Sequence, residues 1–253
     1  MIVKSRTFSG VVCEQIVYSV SSKIKDTSKA KLRPRFKDEA DRRRPSDEIA
    51  RRRHAQLINA NFDANSYYST LTMDDEHEVH TVADVKRLRD NYARRLLYAY
   101  PDAVFVLYYG RGKSTERFHL HMISKGIPPA AIAEKWGMGG VTRIKRLREH
   151  NYYDNVDYGK DYTGLANYLI AHWQKEYGGH RYKLCGKYVR PEKEAPVEVK
   201  RAYSDSKAPP PPKGYILVES RGNAYGYYYY KYVLVPPEDK HKRGQPMQID
   251  WDE

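Results

Sequence analysis

Residues 104–124 read VFVLYYGRGKSTERFHLHMIS, and they predict the centre of the fold. Two runs of mainly apolar residues, 104–109 and 117–124, flank a loop that contains two glycines. This pattern is typical of an antiparallel β-hairpin. Side chains alternate between the two faces of a strand, so His119 and His121 are expected on one face. The opposite face carries three apolar side chains that are expected to pack in the core: Phe118, Leu120 and Met122.

Further elements on both sides of this hairpin follow from periodicity and turn residues. We predict strands over 11–20, 67–73 and 141–147, and helices over 46–60, 81–100, 128–136 and 163–176. Ser46 is the expected cap of the first helix, and Thr81 that of the second, with Asp84 at the third helical position. Strands and helices mix without regular alternation, which predicts an α+β fold with a central antiparallel sheet and flanking helices.

The composition favours a nucleic-acid partner in a reducing compartment. The 253 residues contain 45 Lys+Arg and 32 Asp+Glu, a net charge of +13, which points to a polyanion, nucleic acid before membrane. Two cysteines cannot build a disulfide framework, so a cytoplasmic location is expected. The sequence contains no apolar run long enough to span a membrane, and residues 1–6 lack the apolar start of a signal peptide.

Much of the positive charge lies in the first quarter of the chain. Residues 1–60 contain 15 Lys+Arg and 7 Asp+Glu. One interpretation is a solvated surface helix. The other is contact with phosphates, which would hold a nucleic acid in register without reading its sequence. Under the second interpretation the candidate DNA-binding residues are two triplets of arginine: Arg42, Arg43, Arg44, Arg51, Arg52 and Arg53.

Shifts in composition predict four segments. These are a basic N-terminal strand and arm (1–45), the main domain (46–192), a linker (193–213) that contains four consecutive prolines, and a β-hairpin with a polar tail (214–253). The hairpin holds several of the 24 tyrosines, concentrated in 227–232. Packing in a small sheet or at a dimer edge and stacking on bases are both open interpretations. Whether the N-terminal strand pairs with this hairpin is also open.

Two groups of side chains could carry chemistry. His119 and His121, two residues apart on one strand face, form a natural pair of metal ligands, although a His-x-His pattern also arises by chance in roughly a third of such sequences. On the helix over 163–176, Tyr168, His172 and Lys175 are spaced by four and three residues beside an apolar stripe. The alternative for Tyr168 is a phenol at the rim of the core with its hydroxyl in water.

The order of these motifs resembles the HUH endonuclease superfamily. It is most similar to the rolling-circle replication initiators of bacterial plasmids, phages and integrative elements. The similarity covers roughly residues 46–192. It rests on five segments: LINANF (57–62), YSTLT (68–72), FHLHM (118–122), LANYL (165–169) and the basic stretch from Arg181 to Pro191.

This resemblance implies a fold related to ferredoxin and a site for Mg²⁺ or Mn²⁺ on His119 and His121. Tyr168 would be the catalytic nucleophile that cuts single-stranded or origin DNA and forms a 5′-phosphotyrosine link. Lys175 is the second implied catalytic residue, with Lys160 as an alternative for balancing charge at the phosphate. The basic stretch adds Arg181, Lys183 and Lys187 as DNA-binding candidates. A host or element-encoded helicase is an implied partner.

The chain departs from the relatives at one ligand. They usually carry a carboxylate on the strand before the histidines, whereas residues 107–110 here read LYYG. His172 is the replacement expected as third metal ligand, with Glu116 next. A single nucleophile is expected, with Tyr162 as the second choice. The competing hypotheses are a mobilisation relaxase or transposase of the same superfamily, and a non-catalytic protein that binds single-stranded nucleic acid.

Overall fold

The computed structural model describes residues 1–20, 39–112, 115–153, 156–171, 182–204, 206–222 and 226–234, without the side chains of 39–46, 153 and 156. The chain divides into two units. The central unit comprises residues 36–149 and 162–191, and the terminal unit comprises residues 1–35, 150–161 and 192–253.

Four helices and thirteen strands are described in these ranges. In chain order they are β1 (Ile2–Ser9), β2 (Val12–Ser19), α1 (Glu39–Asn61), β3 (Tyr67–Thr72), α2 (Val82–Ala99), β4 (Val104–Arg111), β5 (Phe118–Lys125), α3 (Pro129–Trp136), β6 (Val141–Arg146), β7 (Tyr152–Tyr153), β8 (Val156–Asp157), α4 (Thr163–Ala171), β9 (Lys183–Gly186), β10 (Glu192–Lys193), β11 (Val197–Val199), β12 (Tyr215–Gly222) and β13 (Tyr227–Leu234).

The central unit is built on a five-stranded antiparallel sheet in the order β6-β3-β5-β4-β9. The first six elements of this unit after α1 run β3-α2-β4-β5-α3-β6, and β5 lies between β3 and β4. This is the split βαβ arrangement, in which a hairpin strand returns between two strands that a helix connects. The expected α+β class, an antiparallel sheet with flanking helices, is confirmed.

Alternation along β5 divides its side chains as expected. Phe118, Leu120 and Met122 are buried in a core that α2 and α3 share with the sheet. His119 lies opposite Gly110 on β4 and Thr72 on β3. The histidines therefore lie on the other face, which α1 and α4 cover in part through a second apolar cluster.

The helix α2 forms where the capping pattern predicts it. The Thr81 hydroxyl accepts a hydrogen bond from the backbone N–H of Asp84, and the apolar positions from Val85 to Leu96 are buried. In the same core the Tyr92 hydroxyl donates to the carbonyl of Ile132 on α3. A cap and a 3.6-residue period thus agree with the tertiary packing.

The first helix differs from the prediction at its start. It begins at Glu39 instead of Ser46, so Ser46 lies inside the helix and is not its cap. Residues 39–44 are mostly good helix formers, and a proline in a helix removes one hydrogen bond without always ending it. The predicted end at residue 60 agrees within one residue.

The terminal unit contains a sheet of order β10-β1-β2-β13-β12, with β11 also paired to β1. The N-terminal hairpin pairs directly with the tyrosine-rich strand, which places Glu14 opposite Lys231. The hydroxyls of Tyr230 and Tyr232 donate to the carbonyls of Ser204 and Pro209. These two tyrosines are therefore core side chains, and the segment predicted as a linker supplies two short strands and part of this core.

None of the helices in the described ranges is both long enough and apolar enough to cross a membrane.

Candidate metal and nucleophile site

The two histidines of β5 converge on one point. Their Nε2 atoms are 3.1 Å apart, and the ring planes are at 78° to each other. Two nitrogens bound to one metal at about 2.1 Å would be about 3.0 Å apart at a right angle and about 3.4 Å apart in a tetrahedron. The observed separation lies within that range, so His119 and His121 fit two positions of one cation. Two neutral rings at this distance can also share one hydrogen bond.

The hydroxyls of Tyr68 and Thr70 on β3 contact His121 at Nδ1, the ring nitrogen that does not face His119. The Tyr68 hydroxyl is 2.8 Å from Nδ1 of His121, and the two rings stack at 5.7 Å. The Thr70 hydroxyl donates to the Tyr68 oxygen at 3.2 Å and lies 3.3 Å from the same Nδ1. Partial burial raises the pKa of Tyr68, with a smaller contribution from Tyr168. Tyr68 is therefore a neutral phenol at physiological pH.

Tyr168 lies on the same side of the sheet. Its side chain is 47% exposed, and its ring centroid is 6.5 Å from that of His121. The buried side of α4 packs Ala166 and Leu169 against the sheet, and Tyr168, about 100° around the helix from Leu169, lies beside that side. The structure thus brings together the three residues that the sequence singled out first: His119, His121 and Tyr168.

The start of α4 is tied to α1 by one asparagine. The Asn59 amide oxygen accepts from the backbone N–H of Tyr162 at 2.8 Å, and its amide nitrogen donates to the Thr163 hydroxyl at 3.1 Å. Asn59 itself is buried. These bonds fix the first turn of the helix that carries Tyr168.

A second buried pair fixes α1 on the sheet. His54 is fully buried, and its Nε2 is 2.8 Å from the hydroxyl of Tyr108, the residue opposite His121 on β4. Burial raises the pKa of Tyr108 far above its ordinary value. At the other end of α1, Asp63 pairs with Lys125. The helix therefore runs away from the histidine pair, and Arg51–Arg53 form the turn directly before His54, at the histidine end of the sheet.

Two basic side chains on the edge strand β6 were not predicted from the sequence. Arg143 lies opposite Thr70, and Lys145 lies opposite Tyr68, so both project from the histidine face. Both side chains are exposed, and Arg143 is close enough to Tyr68 to lower its pKa slightly. The alternation Arg-Ile-Lys was the available signal, but the strand pairing that places it beside the site was not visible.

Two predicted DNA-binding lysines lie elsewhere. Lys183 on β9 is opposite Leu107, on the α2 face of the sheet, and its ammonium is 3.0 Å from Asp90. Lys187 pairs with Asp102 at 2.6 Å, just before the start of β4. Val104, at that end of β4, is six residues along the strand from Gly110, the residue opposite His119. Six residues of a strand span about 20 Å. Neither lysine lies near His119 and His121.

The third metal ligand that the resemblance implies is not found in the residues that the structure describes. Within them no group of three or more His, Cys, Asp or Glu side chains is suitably placed for a metal, so Glu116 does not complete the pair. Tyr162, the second choice as nucleophile, is buried and donates its hydroxyl hydrogen to the carbonyl of Arg148, so it is not accessible for attack. Lys160 is exposed in the terminal unit. Four predictions lie outside the described residues or side chains: His172, Lys175, Arg181 and the triplet 42–44.

Comparisons with protein-family models, curated proteins and solved structures found no significant match to this chain.

Proposed function

We propose that this protein is a metal-dependent, HUH-type endonuclease and strand transferase that nicks single-stranded origin DNA to start rolling-circle replication. The observation that supports it most directly is the exposed Tyr168 phenol beside the converging Nε2 atoms of His119 and His121. A phenol that approaches a paired-imidazole site from a helix is suited to attack on a phosphate held there. The split βαβ sheet agrees with this class of protein.

In the proposed reaction the Tyr168 oxygen forms a bond to the phosphorus, and the bond from phosphorus to the 3′ oxygen breaks. The phenol loses its proton to a base or to solvent, and the departing 3′ oxygen gains one. A cation held by His119 and His121 would polarise the phosphate. The 5′-phosphotyrosine bond is a phosphodiester like the bond it replaces, so a 3′-hydroxyl can reverse the step and join strands.

The remaining task is to hold the strand. Arg143 and Lys145 lie on the β6 side of the histidine pair, and the basic turn of α1 lies at the same end of the sheet. β6 is two strands away from β5, or about 10 Å. We assign Arg143, Lys145 and the exposed Arg51 and Arg53 to phosphate contacts with the bound strand.

The test is incubation of the protein and Mn²⁺ with end-labelled single strands that tile both strands of the DNA encoding and flanking this chain. A denaturing gel then detects a covalent adduct. We expect an adduct with the wild type and none with Tyr168→Phe. The matched control is Tyr98→Phe, which removes an exposed phenol from α2 on the other side of the sheet.

Two results would change the assignment. An adduct that survives in Tyr168→Phe would remove Tyr168 as the nucleophile. If no strand gives an adduct but binding is tight and weakens with salt, the non-catalytic binding protein is the better description. A mobilisation relaxase or transposase would give the same adduct and would differ in the DNA sequence that it cuts.

The metal site has its own test. We expect His119→Ala to weaken the affinity for Mn²⁺, measured by calorimetry or by the electron paramagnetic resonance of free Mn²⁺, because it removes one of two converging nitrogens. His80→Ala is the control, since His80 is an exposed histidine outside the pair. Equal affinity in His119→Ala and in the wild type would exclude His119 as a ligand.

A further inference from the structure

We infer that Tyr68 is the positioning residue for His121: its hydroxyl accepts the Nδ1 hydrogen of the imidazole and so leaves Nε2 to bind the cation. The inference rests on the metal-binding part of the proposed function. Tyr68 lies in the YSTLT segment (68–72), and the resemblance itself assigns no role to that side chain.

The geometry requires a partner at Nδ1. A neutral imidazole carries one hydrogen, on Nδ1 or on Nε2, and only the nitrogen without it can coordinate a metal. The tautomer is set by the hydrogen bond that the other nitrogen makes. His121 is 6% exposed, so water has little access to Nδ1, whereas the Tyr68 hydroxyl is 2.8 Å away. The cation-bound form of His121 therefore needs an acceptor where Tyr68 stands.

Tyr68 also holds the plane of the ring. The two rings stack at 5.7 Å with 22° between their planes, and this stacking restricts rotation of the imidazole. The Nε2 atom of His121 is thereby kept 3.1 Å from that of His119. The hydroxyl supplies the acceptor and the ring supplies the orientation.

Thr70 makes the arrangement reversible. Its hydroxyl is 3.2 Å from the Tyr68 oxygen, so each hydroxyl can donate to the other. Without a cation, Thr70 can donate to Tyr68 and Tyr68 to Nδ1, which leaves a hydrogen on Nε2 for the bond to His119. With a cation, Nδ1 donates to Tyr68 and Tyr68 donates to Thr70. Rotation of the two hydroxyl groups therefore gives each tautomer of His121 a matching partner, while the imidazole releases its Nε2 hydrogen to solvent and takes up one at Nδ1.

The experiment compares Tyr68→Phe with Tyr67→Phe. Both variants remove one hydroxyl from the same strand, but Tyr67 is partly buried and packs against the core on the opposite face. Affinity for Mn²⁺ is measured by calorimetry. The Nδ1–H of His121 is observed by ¹⁵N NMR in the Mg²⁺-saturated protein. Loss of an outer hydrogen-bond partner typically weakens metal affinity 10–100-fold, so we expect about that loss for Tyr68→Phe and less than about twofold for Tyr67→Phe.

The NMR signal separates positioning from general stability. We expect a protected Nδ1–H resonance for His121 in the wild type and its loss or rapid exchange in Tyr68→Phe, with thermal midpoints that stay similar. Thr70→Val, which removes only the supporting hydroxyl, is expected to weaken Mn²⁺ binding by a smaller factor, and Thr70→Ser to restore it.

The outcomes are distinguishable. If the wild type binds Mn²⁺ and Tyr68→Phe binds it equally well with an unchanged Nδ1–H signal, the role of Tyr68 is overturned and the metal site stands. If the wild type does not bind Mn²⁺, the metal-binding part of the proposed function fails and the inference fails with it.

Discussion

Neutralising the two cations on β6 should weaken binding of single-stranded DNA in a salt-dependent way. The perturbation is the double variant Arg143→Ala/Lys145→Ala. Both side chains are exposed on an edge strand and project from the histidine face, so their removal leaves the sheet core intact. If each contacts one phosphate, the variant releases two fewer counterions when it binds DNA.

The magnitude follows from counterion release. For single strands the logarithm of the binding constant falls with the logarithm of salt concentration by about 0.7 per phosphate contact, so losing two contacts lowers the slope by about 1.4. If both proteins bind equally at about 1 M salt, the variant binds about 25-fold more weakly at about 0.1 M. Fluorescence anisotropy of a labelled single strand across a series of salt concentrations measures both quantities.

The informative comparison is Lys183→Ala/Lys187→Ala. This variant loses the same two charges, so a general effect of net charge is matched. Its lysines pair with Asp90 and Asp102, away from the histidine pair. We expect its salt slope to stay within about 0.3 of the wild-type value, since neither ammonium would contact a phosphate at the site.

The opposite ranking of the two variants would place the bound DNA away from the histidine face. If Lys183→Ala/Lys187→Ala lowers the slope by about 1.4 and the β6 variant leaves it unchanged, DNA binds at the two lysines predicted from the sequence. The histidine face is then not the DNA-binding site. Equal losses in both variants would show that net charge, and not strand position, governs affinity.

Three further predictions concern stability. Leu120→Ala, which empties a fully buried site directly behind the histidines, should cost about 2–5 kcal/mol in urea unfolding; a cost below about 1 kcal/mol would contradict close packing there. Lys231→Met removes the ammonium 2.5 Å from the buried Asp161 carboxylate and should cost about 3–5 kcal/mol, whereas adding Asp161→Leu should recover most of the loss. Burial raises the pKa of tyrosines such as Tyr92 and Tyr229, so the unfolded chain loses phenolic protons first, at about pH 10. The contribution of these buried tyrosines to the free energy of unfolding should be intact below that pH and fall above it. If the phenolate absorbance showed all tyrosines ionised at about pH 10 before any unfolding, this prediction would be wrong.

The parts of the fold that local pattern controls could be predicted from the sequence. Alternation in β5 separates the histidines from Leu120, and the cap at Thr81 marks the start of α2. Each signal acts over a few residues, where side-chain direction and backbone hydrogen bonds leave one favourable solution. The start of α1 was missed because Pro45 and Ser46 give a strong local start signal that the residues before them override.

The pairings between distant strands could not be predicted in the same way. Thr70 lies opposite both His121 and Arg143, across 51 and 73 residues of sequence respectively. No local pattern specifies which strand lies next to β3, because edge and central strands can share the same alternation. For this reason the sequence could single out His119, His121 and Tyr168, whereas Tyr68 as a partner of His121 and the basic side chains of β6 were not predicted.

Lys183 shows how the register of one strand pair determines which face of the sheet a side chain occupies. Lys183 lies opposite Leu107, and this pairing places its side chain on the α2 face beside Asp90. A shift of one residue in the pairing of β9 with β4 would move every β9 side chain to the other face, and Lys183 would then share the face of the histidines. The basic composition of 181–190 is the same in both registers, so composition alone cannot distinguish a DNA contact from an ion pair. Arg143, unlike Lys183, lies on the histidine face of the sheet. Its pairing with Thr70 places its side chain on the face that carries His121 and that Tyr168 of α4 lies beside.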